Sequence, residues 1–528
     1  MSSTIFLLLA TLSLLILSTL STSISPPLYR IHSTNPSLAR EEIENFLLGL
    51  GEKGMNDDLD VLAHDDMYIY LAAYPNNAPI ENVSSDDQEA DIAAPPTSEK
   101  SSVYHLAQFL NKEAFPVKIS SQIQYLGRIG SLLNPAGLPV HHQALNGKIP
   151  DGYTSPQKMR SFFEKIALQN PDFVSWVDLG RTFATNLTSI EGRPVNALRI
   201  NVQSDPAQHK PSVLFASCHH ARELITPEIA IAIADVLTAG YQQGDVHISK
   251  WLKEYDIWIV PVVNVDGHEF VWSTDNMWRK NRRQLREKSA GRPAAFGVDL
   301  NRNYDLGWDS QGGSQEFESE TYRGAAPFSE PETQIMKAFS ERMHFAKVMD
   351  FHSSGQQVLV HYTRTKMPEI MTRFIAAEGK ELAETAKYGV RSPSDDAEHQ
   401  EWQIKRNTAY SFLVETGTSF QPPFPVALQE VRRVWPAVVT FLERPITLRG
   451  RVTDASGAPV PNANIVVKQV EWLAGETRNS NPSTGTYHLF LPHGEYDIEV
   501  SAQGFSGEVR KVVVSEDSQV VDFVLQSS

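Results

Sequence analysis

The pair of side chains best suited to chemistry in this chain is His220 with Glu223, three residues apart on a short turn. The apolar run at 211–216 predicts a buried strand before the turn, and residues 227–237 predict a helix after it. The pair therefore lies where a strand ends, the place at which open α/β sheets usually build their sites. One imidazole and one carboxylate can occupy two corners of a tetrahedral zinc, and a catalytic site needs one more ligand and a position open to water. Alone, the pair is a weak signal, because a surface histidine beside a charged turn has the same pattern.

Two more side chains of the same chemical kind end apolar segments further along. His352 closes the run 348–352 and Glu415 closes the run 411–415, so both are predicted at the ends of strands. Burying a carboxylate in such apolar surroundings is costly unless it serves a purpose. Taken singly, His352 could be a satisfied core histidine and Glu415 a member of a buried ion pair.

Two polar motifs lie between the His220 turn and the run 348–352, Trp-Arg-Lys-Asn-Arg at 278–282 and Asn-Arg-Asn at 301–303. Together and in this order, the His-x-x-Glu pair, the two motifs, the later histidine and the final glutamate resemble the zinc metallocarboxypeptidases. That family includes carboxypeptidases A, B, D, E and N. The resemblance covers about residues 151–445, and it implies a mixed central sheet flanked by helices and hydrolysis of the C-terminal peptide bond of peptides or proteins.

The resemblance implies a role for each matching residue. His220, Glu223 and His352 would hold one Zn²⁺ per chain, the His/His/Glu set of which carboxypeptidase A is a known example. Glu415 would act as general base on a zinc-bound water, and Asp299 would orient His220. The remaining implied residues are Arg282 for the oxyanion and Arg222, Asn301, Arg302, Tyr388 and Gln400 for the substrate.

Substrate preference depends on weaker similarities. Gln-Glu-Trp at 400–402 resembles the Gln-Asp-Trp of the carboxypeptidase E and N branch, whose members remove C-terminal Lys or Arg. The acidic pocket motif of that branch is replaced by residues 360–364, in which Arg364 disfavours a cationic side chain. Tyr388, matched to the mobile tyrosine that caps bound substrate, lies further from 400–402 than in the branch, and it could be an ordinary half-buried aromatic. The preferred C-terminal residue therefore stays open.

Length and composition indicate a secreted multidomain protein. The 528 residues suffice for roughly two to four domains, with 41% hydrophobic and 21% charged residues, as in globular proteins. A net charge of −16 disfavours nucleic acid and anionic membranes as partners. The apolar run at 5–20 predicts a secretory signal peptide, with a signal anchor as the alternative, and no other segment is predicted to cross a bilayer. We therefore expect peptide or protein C-termini as partners and no stable membrane insertion.

Helical and strand patterns divide the rest of the chain. The predicted organisation is a signal peptide at 1–25, an N-terminal segment at 26–115, a connecting segment at 116–150, a catalytic domain at 151–445 and an all-β sandwich at 446–528. Alternation of helix and strand patterns in the catalytic domain predicts an α/β class. Short alternating strands separated by Gly and Pro turns predict the sandwich, which resembles the transthyretin-like module of the D/E/N branch.

The N-terminal segment is less defined. Two strand patterns, a helix pattern at 38–50 and a polar linker at 76–100 could form a small α+β domain. It faintly resembles the activation segment of digestive carboxypeptidases, which would make the chain a zymogen, and an unrelated domain is equally compatible. Cys218, the lone cysteine, excludes an intramolecular disulfide and is expected to be a small buried residue rather than a metal ligand.

Two alternative functions remain open. The same zinc chemistry could act on another amide, such as a cell-wall peptide or an acylated amino acid. Arg302 and Arg222 favour a free carboxylate in the substrate in either case. The chain could also be an inactive carboxypeptidase-like binding protein, although such proteins normally lack a ligand or the base, and all four positions are present here.

Overall fold

A computed structural model describes residues 28–32, 59–64, 68–73, 149–202, 210–286, 295–309, 313–361, 367–393, 397–473, 475–515 and 517–528. The strands before residue 74 belong to one structural unit, and the residues from 149 on, apart from 242–245, belong to a second. Within the described ranges, no helix is both long enough and apolar enough to span a membrane.

The N-terminal unit contains a small antiparallel sheet. Its strands are β1 (Leu28–His32), β2 (Leu59–His64) and β3 (Tyr68–Ala73), in the order β1-β3-β2. The two strand patterns of the sequence coincide with β1 and β3. The predicted signal peptide, the predicted helix at 38–50 and the predicted linker at 76–100 lie outside the described residues.

The second unit is built on a mixed sheet. Its strands, with those of a small ribbon, are β4 (Val174–Asp178), β5 (Asn196–Ile200), β6 (Ser212–Ser217), β7 (Asp256–Val260), β8 (Gln284–Arg286), β9 (Ala295–Phe296), β10 (Lys347–His352), β11 (Gln357–Leu359), β12 (Gly389–Arg391) and β13 (Tyr410–Glu415). The order in the sheet is β12-β11-β13-β10-β6-β7-β5-β4, and β8 pairs with β9 in the ribbon. The central strands β13, β10, β6 and β7 are parallel, so their carboxyl ends meet at one edge.

Helices cover both faces of this sheet. They are α1 (Pro156–Gln169), α2 (Leu179–Phe183), α3 (Ile225–Gln242), α4 (Val246–Glu254), α5 (Val265–Ser273), α6 (Pro331–Met343), α7 (Glu369–Ala386), α8 (His399–Asn407) and α9 (Phe424–Glu443), with a 3₁₀ turn at Leu300–Arg302. Neighbouring residues of β6 point to opposite faces. Leu214 packs in one core cluster with Phe339 of α6 and Trp402 of α8, whereas Phe215 contacts Phe441 of α9. This architecture confirms the predicted α/β class with a mixed, helix-flanked sheet.

The C-terminal strands form the two layers of a sandwich. They are β14 (Leu448–Asp454), β15 (Asn464–Val467), β16 (Thr486–Leu489), β17 (Gly494–Ser501), β18 (Glu508–Val514), β19 (Gln519–Val520) and β20 (Phe523–Leu525). One layer has the order β16-β14-β19 with β20 on β14, and the other has the order β15-β17-β18. Residues 520–525 are divided between β19 and β20, although the N–H of Val521 still donates to the carbonyl oxygen of Arg449 at 2.8 Å. The Val521 carbonyl oxygen lies so near Gly450 that a Cβ there would be 1.9 Å away.

Candidate active site

The carboxyl edge of the central strands carries the predicted metal and base residues. β10 and β13 run in register, so that His352 pairs with Glu415 at their ends, and β10 pairs with β6 up to Ser217. Beyond β6 the chain turns at Cys218, which is fully buried and has a left-handed backbone with φ 58°, before it reaches His220. Three segments that are distant in sequence therefore bring their polar ends to one place.

His220, Glu223 and His352 form a compact buried group. Nδ1 of His220 lies 2.7 Å from Oε1 of Glu223 and 3.1 Å from Nδ1 of His352. Nδ1 of His352 lies 3.3 Å from Oε2 of Glu223, and the three side chains are at most 6% exposed. The N–H of Ser353 donates to Glu223 at 3.0 Å, which holds the carboxylate in place.

The donor atoms of this group suit a zinc ion. Ligands about 2.0–2.1 Å from a tetrahedral metal are separated from each other by about 3.3 Å, close to the distances found here. Two imidazole nitrogens facing each other at 3.1 Å cannot both carry a hydrogen, and a cation between them satisfies both lone pairs. The group therefore fits zinc on its own chemistry.

Asp299 holds the far side of His220. Its Oδ1 lies 3.2 Å from Nε2 of His220, and its Oδ2 accepts from Nε and Nη2 of Arg279 at 3.1 and 2.8 Å. Burial favours the neutral acid, but the charges of Arg279 and His220 outweigh it and hold the pKa of Asp299 well below its usual value. Nη1 of Arg279 lies 4.0 Å from Glu223, beside the metal group.

Arg282, implied by the sequence motif for the oxyanion, lies elsewhere. Its guanidinium packs over Phe270 at 3.6 Å from the ring centre, and its Nε lies 3.6 Å from Glu191. The arginine of the motif that lies beside the metal group is Arg279, whose carbonyl oxygen accepts the N–H of Ala221 at 3.0 Å. This bond ties Arg279 to the turn that carries His220, so of the two arginines of the motif Arg279 is the one placed beside the metal group.

A second buried carboxylate, Asp350, lies behind His352. Its Oδ2 is 3.6 Å from Nε2 of His352 and 2.9 Å from Nδ1 of His399, and its Oδ1 is 3.2 Å from Nδ1 of His219. His219, Asp350 and His399 are close enough to hold a metal themselves. However, the amide nitrogen of Gln403 faces Nε2 of His399 at 2.9 Å, so His399 carries its proton on Nδ1, toward Asp350. The trio is therefore a hydrogen-bond network around the carboxylate.

Glu415 has the properties of a proton acceptor. In the described part of the chain, its Oε2 is buried without a hydrogen-bond partner. Burial and the negative charge of Glu223 raise the pKa of Glu415 to about 7. A carboxylate with a near-neutral pKa and an uncommitted oxygen can take a proton from a water molecule beside the metal group.

Two of the residues implied for the substrate contact Glu398, and a third contacts the backbone of the next residue, His399. Nη1 of Arg302 donates to Oε1 of Glu398 at 3.0 Å, and Nε2 of Gln400 donates to Oε2 of Glu398 at 2.6 Å. Oδ1 of Asn301 accepts the N–H of His399 at 2.9 Å, which leaves the amide nitrogen as the donor end. These side chains form a buried polar cluster that contains the ion pair between Arg302 and Glu398.

The structure places the other two residues implied for the substrate, Arg222 and Tyr388, in different surroundings. Arg222 lies over the ring of Phe420, 4.4 Å from its centre, and its Nη1 lies 3.3 Å from Glu320. Tyr388 is buried, and its hydroxyl donates to Glu430. Tyr388 lies between the end of α7 and the start of β12, with its hydroxyl on Glu430, and its role as a mobile cap stays a prediction.

Sequence reasoning missed Arg279, Asp350 and Glu398. The sequence pattern could have identified Asp350, because residues two apart on a strand share a face and His352 follows Asp350 at that spacing. No sequence pattern could have identified Glu398, since its partner Arg302 lies 96 residues away in the chain. Arg364, set by the sequence against a cationic substrate, lies outside the described residues.

Comparisons with known proteins agree with this geometry. Residues 159–431, more than half of the chain, match the family described as Zinc carboxypeptidase, and residues 447–526 match the Carboxypeptidase regulatory-like domain. Carboxypeptidase O of Bos taurus is 37% identical over 179 residues, 33% of this chain and 45% of that protein. Carboxypeptidase B of Rattus norvegicus is 30% identical over 292 residues, 52% of this chain and 65% of that protein.

The chain thus spans about half to two thirds of the length of these relatives. Among solved structures, bovine thrombin-activatable fibrinolysis inhibitor, in complex with tick carboxypeptidase inhibitor, has a TM-score of 0.47 and 27% identity. That similarity covers 55% of this chain and 96% of the other.

Proposed function

The chain belongs to the zinc carboxypeptidase family, and we propose that it is a secreted metallocarboxypeptidase that removes single residues from the carboxyl ends of peptides or proteins. One observation carries the proposal: the group His220, Glu223 and His352 stands beside Glu415 on a shared strand edge. A metal site and a carboxylate of raised pKa at neighbouring strand ends are the two parts that water-driven amide hydrolysis needs.

The metal ligands and Glu415 are proposed to have separate roles at the scissile bond. Zinc held by His220, Glu223 and His352 would polarise the carbonyl and lower the pKa of the attacking water from 15.7 to about 7. Glu415 accepts a proton from that water and passes it to the leaving amine. Its raised pKa suits both transfers, since a base near neutrality can also act as the acid.

Arg279 is proposed to stabilise the oxyanion. Asp299 binds its Nε and Nη2, which fixes the guanidinium plane and directs Nη1 toward the metal group. A preorganised cationic donor of this kind contributes on the order of 10²–10³ in rate.

The substrate's terminal carboxylate is proposed to bind Arg302 and the amide nitrogen of Asn301. An arginine fork matches a carboxylate, and the two residues are adjacent on the 3₁₀ turn. Arg222, near the exposed Glu320, would act on the path into the site.

The remaining parts of the proposal concern the whole chain. The apolar run at 5–20 supports secretion by a signal peptide at 1–25. Residues 151–445 are proposed as the catalytic domain, 446–528 as a supporting β-module and 26–115 as a candidate pro-segment.

The test combines metal content with hydrolysis. Glu415→Gln is expected to bind zinc like the wild type and to lose hydrolysis, while Glu443→Gln, on the exposed end of α9, keeps both. Mass spectrometry of a peptide with a free carboxyl end follows the product, and a chelator should abolish it. Hydrolysis that survives in Glu415→Gln would remove this residue from the mechanism.

A further inference from the structure

Helix α8 runs between the residues proposed to bind substrate and the β-module. Its first residue follows Glu398, which is paired with Arg302, and the N–H of His399 donates to Oδ1 of Asn301 at 2.9 Å. The helix has nine residues and ends at Asn407, which makes it about 14 Å long. In so short a helix, the contacts that hold one end also determine the position of the other end.

The last carbonyl groups of α8 accept hydrogen bonds from the β-module. The N–H and the hydroxyl of Thr477 donate to the carbonyl oxygens of Lys405 and Arg406 at 3.0 and 2.9 Å. Nε2 of His488 lies 3.1 Å from the carbonyl oxygen of Asn407, and this nitrogen is the donor because a carbonyl oxygen only accepts. The carbonyl groups of a last helical turn have no partner within their own helix, so the β-module supplies the cap of α8.

A side-chain contact connects the same two segments again. Nη1 of Arg406 donates to the hydroxyl oxygen of Thr477 at 3.0 Å, so this hydroxyl both donates to and accepts from one residue of α8. On its other side, Nε of Arg406 lies 3.3 Å from Oε1 of Glu341 on α6. Because hydrogen bonds weaken steeply when their geometry changes, these contacts fix the end of α8 in one position.

We propose that Thr477 and His488 of the β-module are positioning residues for the substrate and act through α8. The inference rests on the proposed carboxypeptidase function and gives the β-module a defined part in it. The cap sets the position of α8, and the N–H of His399 then holds the amide of Asn301 with its nitrogen toward the substrate's terminal carboxylate. Loss of the cap weakens substrate binding and leaves the metal ligands in place, since none of them lies on α8.

The test compares full-length variants, saturated with zinc, on one peptide that ends in a free carboxylate. Thr477→Val removes the hydroxyl and keeps the backbone N–H. It is expected to raise KM about fivefold, the effect of one hydrogen bond, and to change kcat little, because the interaction acts on bound substrate and transition state alike. His488→Leu should have an effect of similar size. Thr477→Ser restores the hydroxyl and should return KM to about the wild-type value.

A matched control changes a threonine whose hydroxyl bonds lie inside the β-module. The hydroxyl of Thr447 donates to the carbonyl oxygen of Leu489 at 3.1 Å and accepts the N–H of Leu491 at 2.9 Å. Thr447→Val should lower the calorimetric Tm, as Thr477→Val does, and keep the wild-type KM. A wild-type KM in both Thr477→Val and His488→Leu, or an equal rise in KM in Thr447→Val, would overturn the proposal.

Hydrogen exchange separates this inference from the proposed function. If no peptide is hydrolysed, the proposed function fails, while the backbone amides at the start of α8 still report how firmly the helix is held. Mass spectrometry should find faster exchange at residues 399–402 in Thr477→Val than in the wild-type protein and in Thr447→Val. Equal exchange in all three proteins would overturn the inference.

Discussion

Replacing Asp350 by asparagine is expected to weaken zinc binding about 10- to 100-fold. Asp350 accepts from His399 at 2.9 Å and lies 3.6 Å from Nε2 of the ligand His352. Asparagine would remove the negative charge that lies 3.6 Å from Nε2 of His352 and favours a proton on that nitrogen, which leaves Nδ1 available to the metal. The loss corresponds to about 1.4–2.8 kcal/mol of binding free energy.

Competition with a chromophoric chelator measures this affinity, and the absorption of Co²⁺-substituted protein reports the ligand geometry without any hydrolysis. Asp256→Asn is the matched control, because Asp256 is also buried and paired with Arg199 but begins β7, at the opposite edge of the sheet. Wild-type affinity in Asp350→Asn, or an equal loss in both variants, would refute the reasoning.

The other expected outcomes concern the base, the oxyanion, the metal and the tyrosine. The activity kcat/KM should fall as the pH drops through the raised pKa of Glu415. This pKa is about 7 in the metal-free protein and is expected to be lower once zinc adds its positive charge. A pH profile in which kcat/KM rises only in the alkaline range would contradict this. Arg279→Ala should lower kcat about 10²–10³-fold and Arg282→Ala should change it little, and steady-state kinetics showing the reverse would return the role to Arg282. Removing zinc should lower the calorimetric Tm, since a metal at 1,000 times its Kd stabilises the fold by about 4 kcal/mol. An unchanged Tm would mean that His220, Glu223 and His352 hold no metal. Tyr388→Phe should cost about 1 kcal/mol in the free energy of unfolding through the lost bond to Glu430 and leave KM unchanged, whereas a large rise in KM would place Tyr388 on the substrate.

Residues at the ends of buried strands could be predicted from the sequence. In β6 every residue is buried, and the pattern of apolar runs that stop at His352 and Glu415 locates the strand ends. Parallel pairing then brings these ends together. The roles of His352 as third ligand and of Glu415 as base came from the resemblance to the metallocarboxypeptidases, not from pattern and spacing.

Choices between nearby residues could not be made in this way. Arg279 and Arg282 belong to one motif, and their positions differ through long-range contacts, with Asp299 for Arg279 and with Phe270 for Arg282. Tyr388 depends on where α7 ends, and helix ends are poorly defined by periodicity. The pair between Arg302 and Glu398 is a long-range contact, on which local patterns carry no information.

The most direct test of the account is a mass-spectrometric time course with zinc-loaded protein on one peptide and on its C-terminal amide. The account predicts that the free acid loses one residue at each step, while the amide stays intact because it offers no carboxylate to Arg302 and Asn301. Cleavage inside the peptide, or equal cleavage of acid and amide, would contradict it.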